Sequence, residues 1–269
     1  MRNDASAWRV AALGLVVVLG WAGSGCKTTQ GQQAKPVIEA GGEEEEGEPQ
    51  TPLELYEEAV VDAAFVEPDE VVSELRRVAL DAPGLVWNDD RSKLLVVTWK
   101  SRGSYEKFLK DNTQTAPQED FVVWVTLASQ VKDFCRALPE REPAKLDARL
   151  KQYLGLHPDW SYDVFVEMWV SPEDLFRPCV DPTTDDGACN LQFDKAAPTV
   201  KNIADYRRFY EHLYFKSFRE SEGVPWTGLG YTYDWGNPDS PVGASEFILV
   251  PSASYQIKAA TPTAEYCAP

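Results

Sequence analysis

FVVWVTLASQVKDFCRAL, residues 121–138, is the stretch whose reading decides the fold class. Its first half, FVVWVTLA, is short, β-branched and aromatic, the composition of a strand. Its second half, SQVKDFCRAL, reads as a helix. The same two textures recur in both directions. KLLVVTWK (93–100) and VFVEMWV (164–170) read as strands, and AKLDARLKQYLGL (144–156) as a helix. Towards the N-terminus, PLELYEEAVVDAAFV (52–66) and DEVVSELRRVAL (69–80) look helical, the second opened by Pro68-Asp69-Glu70, because acidic groups favour a helix N-terminus. IADYRRFYEHLYFKSFRES (203–221) is the longest helical candidate, with Ile203, Tyr206, Tyr210, Leu213 and Ser217 down one side. SEFILVPS and YQIKAAT close the chain as two strands joined by a Pro-Ser turn. Strands and helices are interspersed without a βαβ rhythm. The expected fold is one α+β domain over 51–269, with a mostly antiparallel sheet covered by helices.

The chain has 269 residues, 43% of them apolar, and seven of its nine tryptophans lie beyond residue 80, enough for a real core there. The formal net charge is −17. That balance argues against nucleic acid as a partner and against electrostatic adhesion to anionic headgroups. It also keeps a protein soluble.

The N-terminus reads MRNDASAWRVAALGLVVVLGWAGSGC. Arg2 and Arg9 supply a positive region, Val10 to Trp21 an apolar run, and Ala22 to Gly25 the small residues a signal peptidase accepts. The run is shorter than the roughly 20 apolar residues of a spanning helix. Residues 1–25 are therefore expected to be a secretory signal. AGSGC resembles the lipobox of bacterial lipoproteins, with Gly23 standing where Leu is usual. The resemblance implies cleavage before Cys26, a diacylglyceryl thioether on its sulfur and further acylation of the new amino group, palmitate included. Two or more chains anchor stably where one does so only marginally. Lys27, rather than Asp, points to the outer membrane by the enteric sorting pattern. Residues 26–50 then form a lipidated, acidic tether with Glu43 to Glu46 in a row, too poor in apolar groups to fold.

Cys135, Cys179, Cys189 and Cys267 remain, an even number in an exported protein, and two disulfides are expected. Cys179–Cys189, closing VDPTTDDGA, is the favoured local pair, which leaves Cys135–Cys267 to pin the C-terminus. Without a CxxC, and with only His157 and His212, no metal site is expected. Asp181, Asp185 and Asp186 lack the spacing of a calcium loop. There is no G-x-S-x-G, P-loop, H-E-x-x-H or complete G-x-G-x-x-G, so no cofactor is expected.

One hairpin is expected at YTYDWGNPDSPVG (231–243), with ASEFILV as its returning strand. Tyr231, Tyr233 and Trp235 would share one face and Thr232 and Asp234 the other. The aromatic ladder either packs beneath the helix at 203–220 or stacks on sugar rings or another protein, with Trp226 widening it and Asp234, Asn237 and Asp239 as its polar rim. Two functions are compatible with these features. The first is a lipid-anchored envelope protein with a binding or scaffolding domain, for a protein or a glycan. The alternative is an acid–base hydrolase of polysaccharide, with Asp234 and Glu246 facing each other on neighbouring strands.

Overall fold

The computed structural model describes residues 49–220 and 223–268; the signal 1–25, Cys26 and nearly all of the tether lie outside the described residues. Seven strands form one antiparallel sheet: β1 (Leu94–Lys100), β2 (Val123–Leu127), β3 (Val164–Val170), β4 (Leu175–Phe176), β5 (Tyr231–Tyr233), β6 (Val242–Leu249) and β7 (Tyr255–Pro262). Their order is β4-β6-β2-β1-β3-β7, with β5 pairing the N-terminal half of β6. Six helices accompany them: α1 (Pro52–Asp62), α2 (Arg102–Phe108), α3 (Ala128–Ala137), α4 (Pro143–Tyr153), α5 (Tyr206–Arg219) and α6 (Thr263–Tyr266). This is the α+β domain expected, stapled by two disulfides.

The central strand shows why the apolar runs are continuous. Side chains alternate across a strand. Leu94 and Val96 of β1 face a core shared with Val125, Met168, Phe247 and the inner face of α5. Leu95, Val97 and Trp99 face a second core, closed by Val131 of α3, Leu150 of α4 and Tyr266 of α6. Both faces of the sheet are covered, so the first four residues of β1 are all apolar and buried.

Several helices are capped locally. Thr51 caps α1 through a reciprocal box with Glu54, and the Asp205 carboxylate accepts the Arg208 N–H at 3.1 Å to start α5. The helix α2, capped by Ser101, buries no residue and so carries no apolar stripe to announce it in the sequence. Phe209 joins Tyr206, Leu213 and Ser217 on the buried side of α5, with Ile203 buried just ahead of the helix.

The segment 69–80 is the main departure from the sequence expectation. Only Pro68–Glu70 makes a single 3-10 turn, and residues 71–78 form no helix. The backbone bonds of this segment go outward: Leu75 N–H to Gly187 O at 2.9 Å and Val78 N–H to Thr184 O at 2.6 Å. Arg76 N–H donates to Ser245 Oγ at 2.8 Å. The apolar spacing fits a helix, but carbonyls of the cysteine loop satisfy the same donors while Leu75 packs beside the disulfide.

Both favoured disulfides are present. Cys179–Cys189 spans 6.2 Å between Cα atoms and Cys135–Cys267 spans 5.2 Å. Inside the smaller loop, the fully buried Arg177 donates to the carbonyls of Thr183, Asp186 and Arg76 and lies over the Phe247 ring. Gly230 passes behind it at φ +78, where a Cβ would press on the Arg177 side chain. The larger staple ties α6 to α3, and Arg141 donates to the carbonyls of both its cysteines. The Pro251–Ser252 turn after β6 sends β7 to the far edge of the sheet, against β3.

Candidate functional site

Strand pairing locates the site. β1 is paired to β3 along seven residue pairs, Leu94↔Val170 to Lys100↔Val164. β2 is paired to β6 along four, Val123↔Leu249 to Thr126↔Glu246. Between β1 and β2 the pairing covers only Val96↔Leu127 and Val97↔Thr126. Beyond Val97 each strand stays with its outer neighbour and the two part. The split opens into a cavity of about 410 Å³.

Aromatic side chains wall it, each held from behind. Trp99 donates its indole N–H to Thr263 Oγ1 at 2.9 Å and stacks between Tyr162 and Phe165. Trp124 meets Trp226 edge-on, and Trp226 leans on Tyr210 of α5 at 5.0 Å. Leu154 and Leu156 flank the end of α4. There Gly155 adopts φ +64 and the Leu156 N–H reaches back to Lys151 O at 2.9 Å, a left-handed helix stop. A side chain on Gly155 would meet the Tyr233 backbone at 3.3 Å, so glycine lets α4 close against β5.

The polar groups are few. Glu246 extends from β6, and its Oε2 has no hydrogen-bond partner. Burial pushes its carboxyl up to about 8. The indole N–H of Trp226, a residue only 5% exposed, is likewise without an acceptor. Lys100, at the end of β1, is half-buried, and burial lowers its pKa. Lys216 of α5 is half-buried and Glu220 exposed at the rim.

The raised carboxyl carries a stability consequence. Folded Glu246 holds its proton up to about pH 8, whereas the unfolded chain releases it near 4.5. Between those values the folded state binds more protons, so stability falls as pH rises from about 5 to 8. Glu246→Gln should flatten that slope in urea-unfolding curves taken across the range. An unchanged slope would mean that Glu246 is ionised in the folded protein.

The other residues singled out in the sequence are distributed differently. The hairpin forms, with Tyr231↔Ser245 and Tyr233↔Val242 in register. Its ladder is mostly core, yet not beneath α5. Tyr231 packs with Leu75 and the Cys179–Cys189 bridge, and Trp235 packs edge-on to Tyr56 of α1 at 5.9 Å. Staple loop and α1 reach that face first. Tyr233, half-buried, bonds Asp62 at 2.7 Å. Trp226 forms a β-bridge with Thr232 and sits in the cavity wall, which Tyr233 also lines. Asn237 and Asp239 edge a shallow acidic groove against Glu54, Glu57 and Glu58 of α1.

Asp234 and Glu246 do not face one another across a cleft. Asp234 is 3% exposed and gripped by Arg149, with both nitrogen–oxygen distances 2.7 Å, and it lines the α1 groove rather than the cavity. It lies past the end of β5, where the chain turns away. Of the two histidines, His212 meets Asp120 at the surface and His157 packs on Tyr56; neither lines the cavity. Among the described residues no cluster of three or more His, Cys, Asp or Glu side chains is placed to hold a metal ion. Lys100 and Lys216 give no signal in the sequence, since a lysine closing a strand or dotting a helix is ordinary. Glu246 does give one, as a carboxylate within the apolar run SEFILV.

Comparison with protein-family models, with curated proteins and with solved structures finds no match.

Proposed function

We propose that this chain is a lipid-anchored protein of the bacterial cell envelope, held in the outer membrane, whose α+β domain binds a small ligand with a largely apolar body. The carrying observation is the aromatic-walled cavity where β1 and β2 part. Pockets of a few hundred Å³ with apolar walls and a few convergent polar groups are the usual form of a small-molecule site. The leader ending in AGSGC supports the anchor, and two disulfides suit an oxidising compartment.

A glycan fits less well. Sugars need many hydrogen-bonding partners, and the cavity offers few; Thr232 Oγ1 is already engaged by Tyr153 O and Ala244 N–H. A hydrolase needs two facing carboxyls about 5–10 Å apart. Here Asp234 is occupied by Arg149, and the carboxyls lining the cavity are the interior Glu246 and the exposed Glu220.

The test uses the full chain and a neutral two-ring probe, 2-naphthol. Saturable binding at about millimolar concentration is expected, together with its loss in Thr126→Trp, which fills the cavity from the sheet. In the same preparations, Cys26→Ser should free the protein from membranes and end palmitate labelling. Naphthol binding that is absent, or indifferent to Thr126→Trp, removes the ligand-site reading. Continued membrane association and labelling of Cys26→Ser removes the anchor.

A further inference from the structure

We propose that the cavity accepts an aromatic carboxylic acid, its ring system between the tryptophans and its carboxylate among Lys100, Lys216 and the indole N–H of Trp226. This rests on reading the cavity as a ligand site.

Unused hydrogen-bonding capacity at the cavity is donor-rich. A buried donor left without an acceptor is costly, and the Trp226 N–H is one such donor. The two lysines add a second anomaly. Acidic residues outnumber basic ones 43 to 26 in this chain. Three other half-buried or buried cations have taken acidic partners: Lys132 holds Glu167 at 2.9 Å, Lys151 holds Asp147 at 2.7 Å and Arg149 holds Asp234, while buried Arg177 is held by carbonyls. Among the described residues, Lys100 and Lys216 have no such partner, and both line this cavity. Two lysines without a carboxylate partner thus line one recess of an acidic protein.

Glu246 does not oppose an anion there. Held neutral by burial below about pH 8, it presents a carboxylic acid able to donate its proton in a hydrogen bond. The titratable and charged groups around it are Lys100 of β1, Tyr162 ahead of β3, Lys216 of α5, Glu220 just past its end, and Tyr233 of β5. Burial keeps Tyr162 and Tyr233 in the neutral phenol form, and Glu220 is exposed to water at the rim. With Glu246 neutral, the basic groups lining the recess are Lys216 and Lys100, and an incoming carboxylate would favour the charged form of Lys100 against the effect of burial. Two ammonium groups and single donors suit a carboxylate; a phosphate would call for a nest of backbone N–H groups. The indoles of Trp124 and Trp160 in the wall favour a ring system over a flexible chain, because aromatic pairs gain stacking energy beyond buried area.

Calorimetry or ligand-detected NMR on the full chain at pH 7 would compare 2-naphthoate, its neutral counterpart 2-naphthamide, and decanoate. The acid should bind about ten-fold more tightly than the amide, the scale of one charge-assisted contact, and more tightly than decanoate. Lys100→Met and Lys216→Met should each weaken naphthoate roughly five- to ten-fold while leaving naphthamide unchanged, the amide reporting an intact fold. In the wild-type chain, the preference for acid over amide should shrink between pH 7 and 9 as Glu246 ionises. Equal affinity for acid and amide, or a preference indifferent to pH and to both lysines, overturns the proposal even if 2-naphthol binds. Tighter binding of decanoate overturns the ring. If 2-naphthol also fails to bind, the cavity reading itself falls.

Discussion

Cys135→Ala with Cys267→Ala should lower the folding stability of the chain by about 5 kcal/mol, the chain-entropy value for a bridge over so long a loop. The sequence separation is 132 residues, against 10 for the second bridge, whose loss should cost about 3 kcal/mol by the same reasoning. The effect extends beyond entropy. The long bridge seats α6, whose Tyr266 stacks on Phe165 at 4.3 Å and donates to Ala128 O. Thr263, at the head of the same helix, receives the Trp99 indole N–H. Loosening α6 therefore loosens one wall of the cavity. Urea unfolding followed by tryptophan fluorescence would measure both, as a shifted midpoint and a changed native spectrum. A double variant within about 1 kcal/mol of wild type, well short of that loss, would mean that the bridge does not constrain the unfolded chain.

Arg149→Ala should cost about 3–5 kcal/mol, the range for removing one partner of a buried pair. The loss comes less from the ion pair than from the charge left behind. Asp234, 3% exposed, would keep a carboxylate in the interior with only the Gly236 N–H nearby at 3.2 Å. The guanidinium also covers the Phe134 ring at 5.0 Å, which alanine would uncover. Adding Asp234→Asn should recover much of the loss by removing the stranded charge. Arg149→Lys should recover less, because an ammonium cannot span both oxygens as the guanidinium does. Wild type, Arg149→Ala, Asp234→Asn and the double variant form a double-mutant cycle that chemical denaturation can read. Independent, additive effects of the two changes would show that the pair carries no coupling.

Much of the fold is legible in residue patterns. β1, β2 and β3 announce themselves as β-branched and aromatic runs because both faces of the sheet are buried, so few polar residues interrupt them. α3, α4 and α5 are readable from apolar spacing. Cysteine parity and proximity in sequence favour the two bridges that form, among three possible pairings. The candidate site is less legible. Glu246 stands out as a carboxylate in an apolar strand, but its supposed partner Asp234 lies elsewhere. An acid's partner is set by what folds against it, and Arg149 reaches Asp234 across 85 residues.

By itself the sequence determined most of the alphabet of the domain: the main strands, the helices α1, α3, α4 and α5, and an even set of sulfurs able to bond in pairs. These depend on side-chain periodicity and on short-range chain statistics, both local quantities. Tertiary structure alone decided that residues 69–80 lie along the cysteine loop instead of coiling, that the ladder packs on α1 and the staple, and that β1 and β2 part after Val97. Each of these outcomes turns on which distant group satisfies a backbone or side-chain donor. A chain with many segments offers several such groups, and only packing selects among them.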